Sequence, residues 1–211
     1  MPSPAVHFHR PAADPLDRFA LALTRGLRWC ADRFFGARYA HRAVVLETVA
    51  AVPGMVGATL QHLRALRLLR DDAGWVRTLE EEAANERMHL MTFLAVARPT
   101  AVERAVILLL QGLFFNAYFL LYLLSPRTAH RLVGYFEEEA VRSYSGYLEA
   151  IDAGRAANPP AAEAARRYWR LAPQARLREV VVAVRADEMA HRDVNHAFAD
   201  RLPCDGTPQE A

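Results

Sequence analysis

Two Glu-x-x-His pairs stand in separate segments of the chain: Glu86 with His89, and Glu188 with His191. On an α-helix, residues three positions apart project from one face, so the two side chains of each pair can reach the same point. Carboxylates and imidazoles at such a point are suitable ligands for a metal ion. A single pair taken alone favours a solvated polar face, but its repetition on a second segment favours a metal site.

Further carboxylates would have to complete this site. Two helices that each present Glu-x-x-His, with one Glu from each of two others, form the ligand arrangement of carboxylate-bridged di-iron and di-manganese bundles. Glu47 fits one position, because it is the only charged residue between Arg42 and Arg64 and a lone carboxylate in an apolar run needs a cation or a proton. The other position falls among the glutamates at 137–139. Consecutive helical residues fan out by about 100° each, so spacing leaves this choice open and predicts that at least one of the three is solvated.

The elements that would position these residues are helices. Apolar residues recur at three and four positions and strand-type alternation is absent, which indicates an all-α protein. Pro53 and Gly54 predict a bend in the second helix. The length of 211 residues favours a single domain, with a flexible segment at 1–13, helices within 14–201 and a tail at 202–211. The predicted helices cover 14–35, 41–69, 76–96, 101–124, 127–153 and 175–201.

The charge and cysteine patterns exclude several classes of protein. A net charge of +2 is too small to suggest a nucleic-acid partner, and all 26 basic residues are arginines, which suit phosphate and lipid headgroups. Cys30 and Cys204 form neither a metal-type spacing nor a disulfide framework. The N-terminal residues lack a signal-peptide pattern. The absence of a cleavable presequence and the short N-terminus predict a bacterial protein on the cytoplasmic face of the inner membrane.

Residues 105–124 carry no charge and are long enough to form a transmembrane helix. We expect this helix not to cross the bilayer, because Glu86 precedes it, Glu137 follows it, and a single crossing would separate them. It would instead be a bundle helix with an apolar outer face and with Gln111 and Asn116 satisfied in the interior. The second helix ends in leucines and arginines, which is typical of an interfacial helix and predicts a monotopic protein in one leaflet. A soluble protein with an apolar dimer interface is the competing interpretation.

The segments around these residues resemble four sequence blocks of the alternative oxidases, the cyanide-insensitive quinol oxidases of respiratory membranes. The segments are LETVAAVPGMV (46–56), NERMHLMTF (85–93), EEEAV (137–141) and RADEMAHRDVNH (185–196). The resemblance covers residues 28–198, and it selects the first glutamate of the triplet. The chain has DEMAH where the family usually reads DEAHH, which removes only a histidine that does not bind metal. The implied metal ligands are Glu47, Glu86, His89, Glu137, Glu188 and His191.

The resemblance also implies a fold and an activity. The fold would be a ferritin-like four-helix bundle that holds a di-iron carboxylate centre, with flanking helices and monotopic attachment to a membrane. The activity would be oxidation of quinol, expected to be ubiquinol, with reduction of O2 to water at two non-haem iron ions and without proton pumping. Oxygen donors with only two imidazoles suit iron that cycles between Fe(II) and Fe(III). Members of the family tend to form homodimers.

Several other positions match family residues near the metal. Tyr144, two helical turns after Glu137, would be a redox-active tyrosine, although a core aromatic with a bonded hydroxyl fits the pattern equally. Partners of the ligand side chains would be Asn85, His130 and Asp187, with Tyr168 in a less defined role. Asp187 also fits an ordinary exposed helix acid.

The quinone pocket is implied by matches that include two departures. Phe136 stands where the family commonly has Leu, and Ser143 stands where it commonly has Thr, so the shape of the pocket is expected to differ. Arg28 equally fits a surface ion pair with Asp32, four positions on. The candidate quinone-binding residues are Arg28, Arg42, Leu46, Phe136, Ala140 and Ser143.

Three other functions share part of this pattern. A ferritin-like ferroxidase or iron-storage protein would use the same ligands but would lack the interfacial apolar surface. Another di-iron oxygenase, such as a hydroxylase, would not be distinguished by the ligands. A structural membrane-associated bundle would keep the apolar surface and bind no metal.

Overall fold

A computed structural model describes residues 6–202, and these residues form seven α-helices with no strand among them. The all-α prediction is confirmed, and each of the six predicted helices begins and ends within two residues of an observed helix. Residues 1–5 and 203–211, which include Cys204 and nearly all of the predicted tail, lie outside the described residues. The helices are α1 (Pro15–Phe35), α2 (Tyr39–Leu68), α3 (Trp75–Leu94), α4 (Ala101–Leu124), α5 (Pro126–Asp152), α6 (Glu163–Tyr168) and α7 (Leu177–Arg201).

The starts of the helices follow from capping residues and prolines. Asp14 caps α1, since its carboxylate accepts a hydrogen bond from the Asp17 amide at 2.8 Å. Thr100 and Glu103 form a reciprocal capping box at the start of α4. Pro126 is the first residue of α5, where a missing amide hydrogen costs nothing. The short α6 was not predicted, because six residues are too few to show an apolar period.

The chain divides into two compact units, one of which is residues 40–129. In this unit α2 continues through Pro53 without a break. A Cβ added at Gly54 would lie 2.6 Å from the carbonyl oxygen of Leu79 on α3. Gly54 therefore allows the backbones of α2 and α3 to approach closely. The sequence pattern at Pro53 and Gly54 had indicated only a bend.

The other unit joins residues 6–39 to residues 130–202 and contains α1, α6, α7 and nearly all of α5. Its core is built from the inward faces of α5 and α7, where Val133, Val180 and Val184 are at most 1% exposed. The segment before α1 is not helical, but the His9 ring and the Arg10 amide both bond to Glu138 on α5. These contacts hold His9 and Arg10 against α5. The flexibility expected for residues 1–13 stays a prediction.

By length and composition alone, α2 and α4 could each cross a membrane. The most apolar stretch of α2 is 56% buried in the fold, as in the core helix of a soluble protein, whereas that of α4 is only 11% buried. The expectation that Gln111 and Asn116 are satisfied in the interior was wrong. Both are exposed, and each amide donates to a backbone carbonyl instead, that of Thr48 for Gln111 and that of Gly112 for Asn116.

Candidate metal centre

Three candidate ligands lie together in the unit of residues 40–129. Glu47 on α2 and Glu86 and His89 on α3 are at most 5% exposed, and each offers one ligand atom within 4.8 Å of the others. The Nδ1 atom of His89 lies 3.6 Å from a Glu47 oxygen and 3.3 Å from a Glu86 oxygen. The spacing of three residues places Glu86 and His89 on one face of α3, and the packing of α2 against α3 brings Glu47 to them.

The other unit buries a second set with the same composition. Glu137 on α5 and Glu188 and His191 on α7 are at most 9% exposed, and their ligand atoms also lie within 4.8 Å of one another. The Nδ1 atom of His191 is 3.6 Å from an oxygen of Glu188. The glutamate implied by the family resemblance is thus the member of the triplet that lies with this Glu-x-x-His pair.

The chemistry of both sets suits a metal ion. Each set holds two carboxylates and one imidazole, so a neutral histidine would leave two negative charges within a few ångströms in a buried place. Burial of like charges this close is unfavourable unless a cation or a proton neutralises them. Oxygen and imidazole donors without sulfur match iron or manganese better than they match a soft metal. These buried Glu and His groups could therefore bind metal.

The neighbours of Glu137 are not the solvated acids that the sequence suggested. Glu138 bonds to the Nε2 atom of His196 at 3.0 Å and accepts the Arg10 amide hydrogen at 2.8 Å. Burial raises the pKa of Glu138, but these hydrogen bonds and the one with His9 outweigh burial and leave the pKa lowered. Glu139 pairs with Arg28 at 3.2 Å and with Arg142 at 2.7 Å. Partners brought by other segments and by the next helical turn hold both carboxylates, which the acidic run itself does not reveal.

His130 lies fully buried near the start of α5, where its Nδ1 atom is 2.9 Å from the Oδ1 atom of Asn195 on α7. Burial lowers the pKa of His130 to about 4, although the hydrogen bond with Asn195 acts in the opposite direction. The amide nitrogen of Asn195 donates to the carbonyl of His191 at 3.0 Å. Asn195 was not predicted as a partner of the site. Its position one helical turn after His191 could have indicated that role.

The remaining predicted partners occupy different environments. Asp187 on α7 is half-buried and accepts a hydrogen bond from the indole of Trp169 at 2.8 Å, so it is not an ordinary exposed acid. Trp169 was not predicted. The side chain of Tyr168 on α6 is 44% exposed, with its ring edge-on to that of Trp169. Asn85 is half-buried on α3, next to a candidate ligand.

Tyr144 is 5% exposed on α5, two turns beyond Glu137 on the same helix. Its burial agrees both with a redox role and with a core aromatic, the two interpretations that the sequence left open. The structure supports neither over the other, so the redox role stays a prediction.

The candidate quinone-binding residues fall into two groups, one in each unit. Phe136, Ala140 and Ser143 are half-buried along α5, and Arg28 of α1 reaches Glu139 on that same helix. The contact of Arg28 with Asp32 is longer, 3.9 Å. On α2, Arg42 is buried and Leu46 is 37% exposed. Glu139 therefore lies with the predicted pocket residues, although sequence analysis did not assign it to them.

Comparison with known proteins places this site in a family. The model of the alternative oxidase family matches residues 4–200. A mitochondrial ubiquinol oxidase from Batrachochytrium dendrobatidis is 55% identical over 92% of this chain and 61% of its own length. Mitochondrial ubiquinol oxidases 1a from Arabidopsis thaliana and Oryza sativa are 56% and 57% identical, each over 88% of this chain and over 52% and 56% of their own lengths. The chain thus spans between half and two thirds of these relatives.

These relatives also overturn one prediction. The sequence analysis expected a bacterial inner-membrane protein, whereas the relatives are named mitochondrial and come from a fungus and from plants. The expectation was wrong because it rested only on the first residues of the chain, from which nothing about the compartment follows when the chain matches part of its relatives' length. The fold and the chemistry of the site do not depend on that expectation. An all-α fold, two buried sets of Glu and His and a match over nearly the whole chain establish that this chain belongs to the alternative oxidase family.

Proposed function

We propose that this chain oxidises a quinol and reduces O2 to water. The observation that carries this proposal is that each unit of an alternative oxidase chain buries two glutamates and one histidine with their ligand atoms within 4.8 Å. Two quinols release four electrons and four protons, and one O2 consumes both to give two waters. Membership of the alternative oxidase family supports the further proposal that this oxidase does not pump protons. The relatives' names make ubiquinol the substrate of choice.

We infer that the chain holds two iron ions. The ligands would be the two Glu-x-x-His pairs, with Glu47 and Glu137 as the additional carboxylates. When bound, the irons would store electrons between quinol oxidation and O2 reduction. The four carboxylates offset the positive charge of the metal ions, and burial of all six side chains excludes bulk water from them.

Tyr144 is suited to a hydrogen-atom role in this reaction. Its phenol is buried and lies on the helix that carries Glu137. A buried phenol can release an electron and a proton together, so that no net charge is left in a place of low polarity. We therefore propose that Tyr144 supplies one electron and one proton while the O–O bond is cleaved, and that quinol oxidation later returns both to it.

The quinol is proposed to enter beside α5. Phe136, Ala140 and Ser143 offer a half-buried face with one hydroxyl, and Arg28 with Glu139 places a charged pair on the same helix. A charged pair of this kind can bond to the hydroxyls of a quinol head while the apolar residues contact the ring. The family resemblance also implies Arg42 and Leu46 of α2 as quinone-binding residues, and we propose that role for them.

Because the proposed quinol substrate is apolar, we expect the protein to act at a membrane surface. Along α4, Leu108, Leu109 and Leu113 are at least 64% exposed. The end of α2 mixes exposed Leu66 with arginines, as in helices that lie in the headgroup region. We propose monotopic attachment to a mitochondrial membrane through these residues. A homodimer interface is the competing explanation of the same apolar surface. Measurements of membrane binding and of mass in solution distinguish the two explanations.

Oxygen uptake by the iron-loaded protein tests this function. With a short-chain quinol we expect uptake that cyanide does not inhibit. Glu137→Ala should abolish uptake, whereas Glu149→Ala, an exposed change of the same kind on the same helix, should leave it unchanged. Two bound irons without quinol-dependent uptake would contradict the oxidase and favour a ferroxidase. Oxygen consumption with insertion of oxygen into the substrate would favour a hydroxylase, and absence of metal binding would favour a structural bundle.

A further inference from the structure

Asn195 connects α5 to α7 behind a candidate metal ligand. It is 1% exposed, and its amide nitrogen donates to the backbone carbonyl of His191, one turn earlier on α7. Its amide oxygen faces the Nδ1 atom of His130 on α5 at 2.9 Å. His130 is itself fully buried, and the ring of Phe198 packs edge-on against it at 5.2 Å between centroids.

The chemistry of these three groups fixes where the protons lie. A backbone carbonyl only accepts hydrogen bonds, so the group of Asn195 that faces the His191 carbonyl must be the NH2. The oxygen of Asn195 then faces His130, and because that oxygen only accepts, the Nδ1 atom of His130 must carry a hydrogen. Burial lowers the pKa of His130 to about 4, which keeps the ring neutral at physiological pH. The Nε2 atom is therefore left without a proton, as a hydrogen-bond acceptor.

We propose that Asn195 is a positioning residue, which holds His130 in the neutral Nδ1–H form and so joins α5 to the turn of α7 that carries His191. Asn195 touches neither substrate nor reacting atoms in this account. It acts by fixing the ring orientation and the protonated nitrogen of a histidine that lies two helical turns before Glu137 on α5. The consequence for catalysis rests on the proposed function, since it requires His191 and Glu137 to be metal ligands. The position of the proton on His130 does not depend on the proposed function.

Nuclear magnetic resonance of metal-free protein labelled with 15N in its histidines measures the proton position directly. In the wild type, the two-bond 1H–15N pattern of His130 should show a protonated Nδ1 and an unprotonated Nε2 between pH 6 and 8. In Asn195→Leu, which has a similarly branched but larger side chain and no acceptor, His130 should lose this preference and populate the Nε2–H form. A wild-type His130 that is protonated at Nε2, or an unchanged pattern in the leucine variant, would overturn the proposal.

Phe198→Leu is the matched control, because it changes the packing against His130 and leaves both hydrogen bonds of Asn195 in place. It should keep the Nδ1–H pattern, and an equal loss in both variants would show that Asn195 only fills space. If Asn195→Leu does not fold, Asn195→Asp decides, since a carboxylate there should raise the pH at which His130 gains its second proton. No rise would contradict the contact. With iron and quinol, Asn195→Leu should lower the oxidation rate by about tenfold or more, and Phe198→Leu by less.

Discussion

At the scale of single residues, the lack of a side chain at Gly134 leaves space for a buried ionic cluster next to the candidate ligand Glu137. A Cβ at this position would lie 2.5 Å from two ring atoms of His196. That ring bonds to Glu138 at 3.0 Å and to Arg131 at 2.9 Å. Because the ring is held on both sides and buried, it cannot move aside without loss of these contacts.

Gly134→Ala should therefore destabilise the protein by roughly 1–3 kcal/mol, as is usual for overpacking. Gly146→Ala is the control on the same helix, since its Cβ would meet nothing closer than 3.6 Å. That change should be neutral or stabilise by up to about 1 kcal/mol, because alanine is the better helix former. Denaturant unfolding measures both, and equal effects would contradict the role given to Gly134.

The predictable part of the site is its local geometry. The spacing of three residues placed Glu86 with His89 and Glu188 with His191, since helix geometry alone fixes those neighbours. It could not show that Asn195 meets His130 or that His196 meets Glu138, because these contacts depend on how α5 and α7 pack. The role of the six side chains as iron ligands stays a prediction until metal is measured.

At the scale of elements, the start of α4 depends on a buried carboxylate. Glu103 bonds to the Thr100 amide at 2.7 Å within the capping box and to His41 of α2 at 2.9 Å. Burial raises the pKa of Glu103, but these hydrogen bonds outweigh burial and lower the pKa to about 2. The stability that Glu103 contributes is thus fully present above its unfolded pKa and is lost as the pH falls towards 2.

Glu103→Gln should consequently cost up to about 3 kcal/mol at neutral pH, and the difference from the wild type should shrink between pH 4.5 and about 2. Urea unfolding across this range gives the difference directly. Glu149→Gln, an exposed change of the same kind on α5, is the control for the loss of a carboxylate. A constant difference between Glu103→Gln and wild type would contradict the lowered pKa.

The spacing of α2 and α3 depends on Gly54. Its added Cβ would lie 2.6 Å from a backbone oxygen of α3, which cannot rotate away as a side chain can. Gly54→Ala should push the helices apart, destabilise the protein by roughly 1–3 kcal/mol and weaken iron binding, because Glu47 is on α2 and its neighbours in the metal set are on α3. Gly112→Ala on α4, where a Cβ meets nothing within 4 Å, should do neither. Iron titration and unfolding distinguish the two variants.

Periodicity was sufficient to predict the long helices, because each presents several turns with one apolar face. It failed for α6, which has six residues, and it could not explain Pro53 and Gly54. The requirement for glycine at position 54 is evident only from its close contact with the backbone of α3.

At the scale of the whole molecule, the exposed leucines of α4 predict attachment to lipid. Leu109 and Leu113 are 68% and 64% exposed. Replacement of both by Gln should weaken sedimentation with phospholipid vesicles by about tenfold or more, since each buried leucine contributes on the order of 1.5–3 kcal/mol. Val182→Gln on α7 is the control and should leave vesicle binding unchanged. Unchanged binding of the double variant, with a loss of dimer mass, would assign this surface to self-association.

The compartment was the feature that the sequence could least predict. Charge, helix patterns and metal ligands depend on physical chemistry within the chain, whereas the membrane in which a protein works depends on cellular sorting. The prediction of a bacterial membrane had no physical basis in the fold, and the names of the relatives contradict it.

Mössbauer spectroscopy of protein loaded with 57Fe tests the central claim most directly, namely that the six candidate ligands bind a pair of irons. We predict two irons per chain whose oxidised form is a spin-coupled diferric pair. Coupling requires a shared bridging ligand, so it would show that the two irons form one centre. Fewer than two irons per chain, or two magnetically isolated ferric ions, would contradict the account.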